Sequence, residues 1–421
     1  MKPTDGANLL QRFAMPPLRA STVLIGFAVP ISVALDNLLL ALVLAGLLFN
    51  ARTVWAIAVQ HPVARAAWLL FGMLLLAMFY GATPLREAAG ILWKYADLAF
   101  IPLFMVMLGN EITKRRAQYA FLTAMSITLL LSYLVGLGLL PVQHWMNKFS
   151  TVNNPVIFYS HITQNNMMSF AIFLALLNLR DTPSQKARAA FGLFTLLGTA
   201  NVLFMVQGRT GYIILLVLWA WFAWSTLTRS MQRRGKTFSW HYGMAILLIL
   251  AALFSASYQL SPRLHNRIEI TISELQSWEL NANPPSASIG QRLDFYLNTL
   301  QVVRQKPLFG MGTGGFSSAF AQQTQGTGAV QTRNPHNEYL MITVQTGVIG
   351  LALFLYLFYT QWRYAPFLNT PFEQDAARGL VLAYMANCTF NSALMDHSDG
   401  LFFAFMTSVL FSGLKLGKKS G

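Results

Sequence analysis

The sequence predicts an all-α integral membrane protein with about twelve transmembrane helices and one large extracytoplasmic loop domain that contains helices. Of its 421 residues, 55% are hydrophobic and only 11% are charged, whereas a soluble domain carries roughly 25% charged residues. Many apolar runs approach or exceed the roughly 20 residues needed to cross a bilayer. The Lys and Arg residues gather in short clusters between these runs. Lipid is therefore the expected main solvent of the chain.

The first spans lie in one long apolar stretch. Residues 20–50 are nearly continuous in hydrophobicity, and only Pro30, Asp36 and Asn37 suggest a break. Two spans or one long tilted helix both fit this stretch, and the single helix would give eleven spans and an outer N-terminus. Cations precede the run, as in a signal peptide, but no clear small-residue cleavage site follows. We therefore expect a retained first span.

Apolar runs along the rest of the chain complete the predicted topology. The twelve spans are predicted near residues 20–35, 37–50, 63–81, 91–109, 117–139, 164–179, 189–206, 211–227, 241–258, 337–360, 377–394 and 400–414. Each run is bounded by charged or turn-forming residues, as hydropathy-based assignment requires.

The distribution of Lys and Arg favours twelve spans over eleven. With twelve, 20 of the 30 Lys and Arg residues fall in segments assigned to the cytoplasm, including both termini. Six of the other ten lie in the long loop, which topology signals largely ignore. The chain is thus predicted in a bacterial inner membrane with both termini in the cytoplasm. Because the cations lie between spans, the net charge of +15 does not indicate a nucleic-acid-binding face.

This topology divides the chain into three parts. Residues 1–258 hold the first nine spans, residues 259–335 form a periplasmic loop domain, and residues 336–421 hold the last three spans and the cytoplasmic C-terminus. No internal sequence repeat of the kind common in transporters is visible.

The long loop is predicted to be a small ordered domain. It contains a helical piece at 263–279, a Pro/Ser/Ala linker at 281–289 and an amphipathic stretch from Gln291 to Arg304. The apolar positions of that stretch follow helical spacing and are expected to pack against the membrane domain: 293, 296, 297 and 300.

Arg209 is the first candidate site residue. It stands in Met-Val-Gln-Gly-Arg-Thr-Gly-Tyr between two apolar runs, with almost no loop to hold it. An arginine in this setting needs an anionic partner, and snorkelling to lipid headgroups is one way to find it. The flanking Gly208 and Gly211 favour a ligand, because they allow close approach of the backbone. A guanidinium holds phosphate oxygens with two parallel hydrogen bonds, so an outward-facing diphosphate would fit.

Arg292 and His336 are the other candidates for chemistry. Arg292 begins the amphipathic stretch, where a local ion pair with Asp294 or Glu269 is the alternative role. His336 stands at a predicted helix start, with Glu338 in the first turn. The helix dipole would lower its pKa and favour the neutral imidazole that a general base needs. A lone histidine at an interface can also be purely structural.

Two further polar clusters flank predicted spans. The first opens the sixth span and consists of His161, Gln164, Asn165 and Asn166, of which His161 is expected to line the site. The second, Asp396, His397 and Asp399, contains possible ligands for a divalent ion, but a short solvated turn needs no metal. Cys388 is the single cysteine, so no disulfide or thiolate metal cluster can form within the chain. We expect neither a metal nor a cofactor.

The segment 306–316 has the glycines of a phosphate-binding loop. It lacks the following Lys-Ser/Thr pair and the strand and helix that frame such loops. It also falls on the predicted side without ATP, so a nucleotide site is not expected there.

Residues 336–350 carry the motif of a known family. His-Asn, nine residues and then Gly-Val-Ile-Gly resembles the His-Asn/Ser/Gln, nine residues, Gly-x-x-Gly signature of the O-antigen ligases and their relatives. An outer arginine (Arg209), an arginine opening a loop helix (Arg292) and a Pro-Leu-Phe-Gly-x-Gly segment precede the motif in the order of that superfamily. The resemblance covers roughly residues 200–350, and the rest agrees in topology only.

The resemblance implies a metal-independent, inverting glycosyltransferase of the GT-C type. Such an enzyme moves a glycan from undecaprenyl diphosphate to an acceptor on the periplasmic face, here lipid A-core. Arg209 and Arg292 would bind the diphosphate and stabilise the charge that develops on the leaving group. His336 would deprotonate or orient the attacking acceptor hydroxyl.

The remaining carried-over residues would shape the site. His161, Asn165 and Asn337 would line it on the substrate side. Gly347 and Gly350, one turn apart on one helix face, would let a neighbouring span pack closely.

Other activities remain open within and outside this superfamily. An O-antigen polymerase or a protein O-oligosaccharyltransferase uses the same donor with a different acceptor. The single compact loop favours the ligase, since the protein-glycosylating members of the superfamily that this chain resembles carry larger soluble regions. A transporter of lipid-linked glycans would place its polar residues near the bilayer midplane, whereas the candidates here cluster at the outer boundary.

Overall fold

The computed structural model describes residues 5–235, 240–260, 262–282 and 288–414. Over these residues the fold is all-helical and has no sheet, with an isolated bridge between Thr151 and Asn154. A π-helical turn, Asn201–Met205, extends α9, and a 3₁₀ turn, Ala365–Phe367, follows α15. The α-helices are α1 (Asp5–Ala28), α2 (Val33–Leu44), α3 (Leu47–Gln60), α4 (Pro62–Ala77), α5 (Leu85–Trp93), α6 (Asp97–Met107), α7 (Glu111–Gly136), α8 (His161–Asp181), α9 (Gln185–Ala200), α10 (Arg209–Arg233), α11 (Trp240–Leu260), α12 (Pro262–Gln276), α13 (Ser288–Gln305), α14 (Phe316–Gln323), α15 (Glu338–Tyr364), α16 (Pro371–Phe390) and α17 (His397–Phe411).

The protein is a multi-pass membrane protein. In the described part of the chain, six helical segments are long and apolar enough to cross a membrane, or seven if the bent pair α2 and α3 is one span. The six are Leu85–Met107, Glu111–Gly136, His161–Asp181, Gln185–Met205, Arg209–Arg233 and Glu338–Phe367. Two other predicted spans coincide with α4 and α17, whose 16 and 15 residues extend about 22–24 Å, less than the roughly 30 Å hydrocarbon core. The count of twelve therefore stays a prediction.

The first apolar stretch is broken twice. Helix α1 ends at Ala28, and α2 begins after Ser32, whose hydroxyl accepts a hydrogen bond from the Leu35 backbone N–H at 3.3 Å. Pro30 explains this break, because it has no N–H to continue a helix and restricts the residue before it. A second bend, of 87°, separates α2 from α3. The single long helix over 20–50 is therefore wrong, and the predicted first span runs past the true end of α1.

Helix α8 lies at the centre of the bundle. It packs against α9, α10 and α16, and its residues from Thr163 to Leu177 are all buried. The ring of Phe170 contacts those of Phe173 and Phe402. A helix that is buried on all sides holds its polar residues inside the protein. The polar residues at the start of α8 are therefore available to a site within the bundle.

The long loop between α11 and α15 contains helices, but two of the four apolar positions predicted to pack against the membrane domain, 297 and 300, are exposed. Helix α13 packs against α14 and α15 and buries Phe295, Thr299 and Val302, whereas Leu297 and Leu300 are 40% and 43% exposed. Periodicity identifies an apolar face but not whether protein or lipid covers it. Most of the predicted linker at 281–289 lies outside the described residues.

The glycine-rich segment 306–316 docks on a break in α15. Gly347 has φ 66° and ψ −166°, outside the helical region, and Val348 N–H donates to the Pro307 carbonyl at 2.9 Å. On the preceding turn, Met311 N–H donates to the carbonyl of Val344 at 2.7 Å. These bonds satisfy backbone groups that the break removes from the helical pattern.

This docking changes the role expected of the motif glycines. A Cβ on Gly347 would lie 2.1 Å from the Leu308 carbonyl oxygen, and one on Gly350 would meet the side chain of Thr346 in the same helix. The prediction that a neighbouring span packs on Gly347 is therefore wrong, because segment 306–316 occupies that side of α15. Gly347 is required because the backbone of segment 306–316 approaches it and its φ is positive.

Replacing Gly347 with alanine is expected to destabilise the protein strongly. The positive φ alone costs a non-glycine residue roughly 1–3 kcal/mol, and the clash with Leu308 adds to it. Gly72→Ala is the matched control, since Gly72 lies in helix α4 with open space around its Cβ position, and that change should be neutral or slightly stabilising. Thermal unfolding of the two variants in detergent measures the difference. Equal unfolding temperatures would contradict the role of Gly347.

Candidate active site

The predicted site residues converge at one end of the helix bundle. Helices α8 and α10 begin at this end, and α16 ends there at Phe390. Helix α10 packs against α8 and α16, while α15 packs against α16 and α13. Residues from distant parts of the sequence therefore meet around the starts of α8, α10 and α15.

Arg209 opens α10 and contacts the loop. Its Nη2 lies 3.7 Å from Oε2 of Glu274 on α12, and the same carboxylate oxygen accepts a hydrogen bond from the Ile289 backbone N–H at 3.1 Å. Arg292 follows Ile289 by three residues, about one helical turn. Glu274 thus joins the start of α10 to the turn of α13 that carries the second arginine, and it supplies Arg209 with an anionic partner.

His161 and Asn165 lie directly under the backbone around Arg209. A Cβ on Gly208 would lie 2.6 Å from Asn165 Nδ2 and 3.3 Å from the His161 carbonyl oxygen. A Cβ on Gly211 would lie 2.6 Å from Asn165 Cβ. The two glycines allow α10 to approach α8 closely, so that the predicted lining residues lie beside the arginine.

A chain of hydrogen bonds connects the start of α10 to His336. Asn391 Nδ2 lies 3.5 Å from the hydroxyl oxygen of Thr210. The next residue, Ser392, donates its hydroxyl to Asn334 Oδ1 at 2.7 Å. The same oxygen accepts the His336 backbone N–H at 2.7 Å. The turn after α16 therefore fixes the loop that presents the histidine.

His336 is held in an unusual backbone conformation. Its φ is 55°, in the left-handed region that costs a non-glycine residue free energy and is often found at functional sites. Its ring stacks on Phe295, with centroids 6.1 Å apart. Its carbonyl accepts the Tyr296 hydroxyl at 3.1 Å, and that hydroxyl also contacts the Thr389 carbonyl. The imidazole is therefore fixed from the loop helix α13.

Burial, together with the smaller effect of the positive charge of Arg292, lowers the pKa of His336 from 6.5 to about 4. The predicted direction is confirmed, but the main cause is desolvation rather than a helix dipole. The imidazole is neutral at pH 7 and can accept a proton.

Arg292 does not form either of the local ion pairs considered from the sequence. Among the ion pairs of the described residues, none joins it to Asp294 or Glu269. Asp294 instead accepts a hydrogen bond from Trp278 Nε1 at 3.0 Å, and Glu269 accepts one from a tyrosine hydroxyl of α11. The half-buried guanidinium therefore adds positive charge beside His336.

The reactivity of His336 should depend on pH with an unusually acidic midpoint. Diethyl pyrocarbonate modifies only neutral imidazole, so its rate at His336 should fall as the pH drops through about 4. Removing the charge with Arg292→Gln should shift the midpoint upward. Because the pKa of His336 in the folded protein lies below 6.5, protonation of this histidine favours the unfolded state. The free energy of unfolding should therefore decrease as the pH falls from about 6.5 to about 4. Peptide mass spectrometry measures the rate, and a wild-type midpoint near 6.5 would contradict the assignment.

Asn337 caps α15 and has little left to offer a substrate. Its Oδ1 accepts the Leu340 backbone N–H at 3.0 Å, and its Nδ2 donates to the Thr389 carbonyl at 3.0 Å. Next to it, the buried carboxylate of Glu338 accepts the Tyr95 hydroxyl at 2.8 Å and the Leu394 backbone N–H at 2.8 Å. These two residues fix the start of α15, so Asn337 has a structural role next to the site.

The polar cluster before α17 is divided among separate structural roles. Asp396 caps α17, His397 contacts Asp36 at 3.1 Å, and Asp399 accepts hydrogen bonds from Asn166 and Thr163 of α8. No group of three or more His, Cys, Asp or Glu residues within the described residues could hold a metal ion. Asn166 therefore serves packing of α8 against α17 rather than the site surface.

Several contributors were not recognisable in the sequence. Glu274, Asn334, Ser392 and Phe295 act through long-range contacts that no local pattern reveals. Tyr296 could have been found, because it stands four residues after Arg292 on the same helix face.

The site combines two arginines, a neutral histidine and the polar residues at the start of α8, all at one end of the helix bundle. Cationic side chains favour a phosphate-containing ligand, and the histidine offers a proton acceptor beside it. Residues 193–355 match the family model described as O-antigen ligase, whose members are ligases and polymerases that act as membrane glycosyltransferases on lipid-linked glycans. No curated protein sequence matches the chain.

Proposed function

We propose that the protein is the ligase that transfers O-antigen glycan from undecaprenyl diphosphate to lipid A-core oligosaccharide. The match of residues 193–355 to the family model described as O-antigen ligase supports this proposal. The reaction takes place at the periplasmic face of the inner membrane during lipopolysaccharide biosynthesis. It inverts the anomeric carbon and needs no metal. The observation that carries this proposal is the neutral His336, held at φ 55° beside Arg292.

The two arginines act on the donor. Arg209 and Arg292 bind the diphosphate oxygens, and their charge stabilises the negative charge that grows on the leaving undecaprenyl diphosphate. The diphosphate takes over the contact that Glu274 makes with Arg209 at 3.7 Å, a distance too long for a strong hydrogen bond. His161 and Asn165, packed under the start of α10, line the donor pocket.

His336 acts on the acceptor. The neutral imidazole accepts the proton of the acceptor hydroxyl, or orients that hydroxyl, while its oxygen attacks the anomeric carbon. The new bond forms from the face opposite to the departing diphosphate oxygen, so a single displacement inverts the configuration. Asn337, Tyr296 and Asn334 position the histidine through its backbone and its helix.

The proposed topology follows from this assignment. The starts of α8, α10 and α15 lie on the periplasmic side, and both termini lie in the cytoplasm, with twelve spans in all. Residues 1–258 and 336–421 form the membrane part, and residues 259–335 form the periplasmic loop domain. The clustering of candidate residues at helix ends rather than at mid-helix supports an enzyme over a transporter.

Deletion of the coding gene in its own host distinguishes the possible acceptors. Loss of a ligase leaves lipid A-core without O-antigen, while lipid-linked polymer accumulates. Loss of a polymerase leaves core that carries a single repeat unit, and loss of a protein-glycosylating enzyme leaves lipopolysaccharide unchanged. Wild type should restore the long ladder on gels and His336→Ala should not, whereas the single-repeat or unchanged pattern would overturn the ligase proposal.

A further inference from the structure

A large cationic cavity lies at the opposite end of the bundle from the candidate active site. Its volume is about 1690 Å³, and its walls come from the ends of α8 and α10 and the starts of α7 and α16. Helices α8 and α10 have 21 and 25 residues, which separates their two ends by about 30–38 Å. The cavity therefore lies at the other membrane surface.

Positive charge dominates the lining. Six cationic side chains face it, against the carboxylates of Glu111, Asp181 and Glu373. The six are Lys114, Arg115, Arg180, Arg229, Arg233 and Arg234.

Part of this charge is fixed by internal ion pairs. Lys114 bridges Glu111 at 2.8 Å and Glu373 at 2.5 Å, and Arg180 and Arg229 both contact Asp375, each at 2.8 Å. Asp375 is 1% exposed and Lys114 is 2% exposed. These pairs form a rigid polar wall.

The remaining arginines are exposed and available to a ligand. Arg115, Arg233 and Arg234 line the cavity and are exposed, and no ion pair of the described residues includes them. Exposed guanidinium groups at a membrane surface offer the charge and the paired hydrogen bonds that recognise phosphate.

The cavity also has apolar walls beside a membrane-crossing segment. Phe191 of α9 and Tyr119 of α7 line it, and α9 belongs to the segment Gln185–Met205, which is long and apolar enough to cross a membrane. A ligand with both a phosphate group and acyl chains fits this combination better than a soluble phosphate compound, which would leave the apolar wall uncovered.

We propose that this cavity binds the headgroup of an anionic phospholipid, with the phosphate between Arg115, Arg233 and Arg234 and the acyl chains along α9. The site is separate from the candidate active site and does not depend on the reaction assigned to it. The lipid joins the ends of α7, α9 and α10 at the membrane surface.

Native mass spectrometry of the full-length protein in detergent tests this site. Phosphatidylglycerol and phosphatidylcholine with identical acyl chains are added separately, and the retained lipid is counted. The test variant is R115Q/R233Q/R234Q. The matched control is R52Q/R116Q/R188Q, which removes the same charge from exposed arginines that do not line the cavity.

Wild type and control should retain phosphatidylglycerol in preference to phosphatidylcholine. The affinity of the test variant for phosphatidylglycerol should be at least about tenfold lower, since each surface arginine contributes about fivefold. Equal retention by the two triple variants, or equal retention of the two lipids by wild type, would overturn the proposal. An excess of inorganic phosphate should not displace the lipid; displacement would assign the site to a soluble phosphate compound instead.

Discussion

Glycan transfer should fall by roughly 10²–10⁴-fold when His336 is replaced with alanine, the range that removal of a general base produces. The substitution removes the proposed proton acceptor, since the imidazole is neutral at pH 7. The loop that carries it is fixed by Asn334 and Tyr296. Donor binding should be nearly unchanged, since the proposed ligands of the diphosphate are the two arginines.

The control for this prediction is His144→Ala, which changes an exposed histidine in a loop outside the candidate site. Initial rates of transfer at saturating donor, together with donor binding, separate the two effects. Wild-type rates in the His336 variant would refute a chemical role for this residue.

Arg292→Lys is expected to reduce transfer by about 10²-fold or more, although the charge is kept. Lysine cannot reproduce the two parallel hydrogen bonds of a guanidinium to a diphosphate, and stabilisation of a developing negative charge contributes strongly to catalysis. The loss should appear mainly in kcat, because the charge to be stabilised grows as the glycosidic bond breaks.

Arg304→Lys serves as the matched control on the same helix. Arg304 is exposed and contacts Gln301, one turn away, so its replacement should leave the rate unchanged. If Arg292→Lys retained full activity, as Arg304→Lys should, Arg292 would have no role in stabilising the leaving group.

The all-helical class and the helices of the long loop could be predicted from the pattern of residues in the sequence. Long apolar runs identify membrane helices by length alone, and the helical spacing after Gln291 predicted α13. Arg209, Arg292 and His336 could be chosen because polar residues at membrane boundaries need partners. Their common location could be inferred only through the family motif, since no local pattern links α10 to α15.

Features that depend on tertiary contacts were missed for physical reasons. Gly347 was taken for a helix-packing glycine, but its positive φ and the approach of Leu308 are set by the docking of segment 306–316. On α13, Phe295 is buried whereas Leu297 is exposed, because helical periodicity alone does not show which side of a helix the protein covers. Such contacts join residues far apart in sequence.

The most direct test of the proposed function is reconstitution of the reaction with purified components. The full-length protein would receive undecaprenyl diphosphate-linked glycan and lipid A-core acceptor in the presence of a metal chelator, alongside Arg209→Ala and His336→Ala, with product mobility as the readout. We expect ligated lipopolysaccharide from wild type and none from either variant. Absence of product with wild type and every acceptor, despite normal donor binding, would contradict the assignment of a metal-independent ligase.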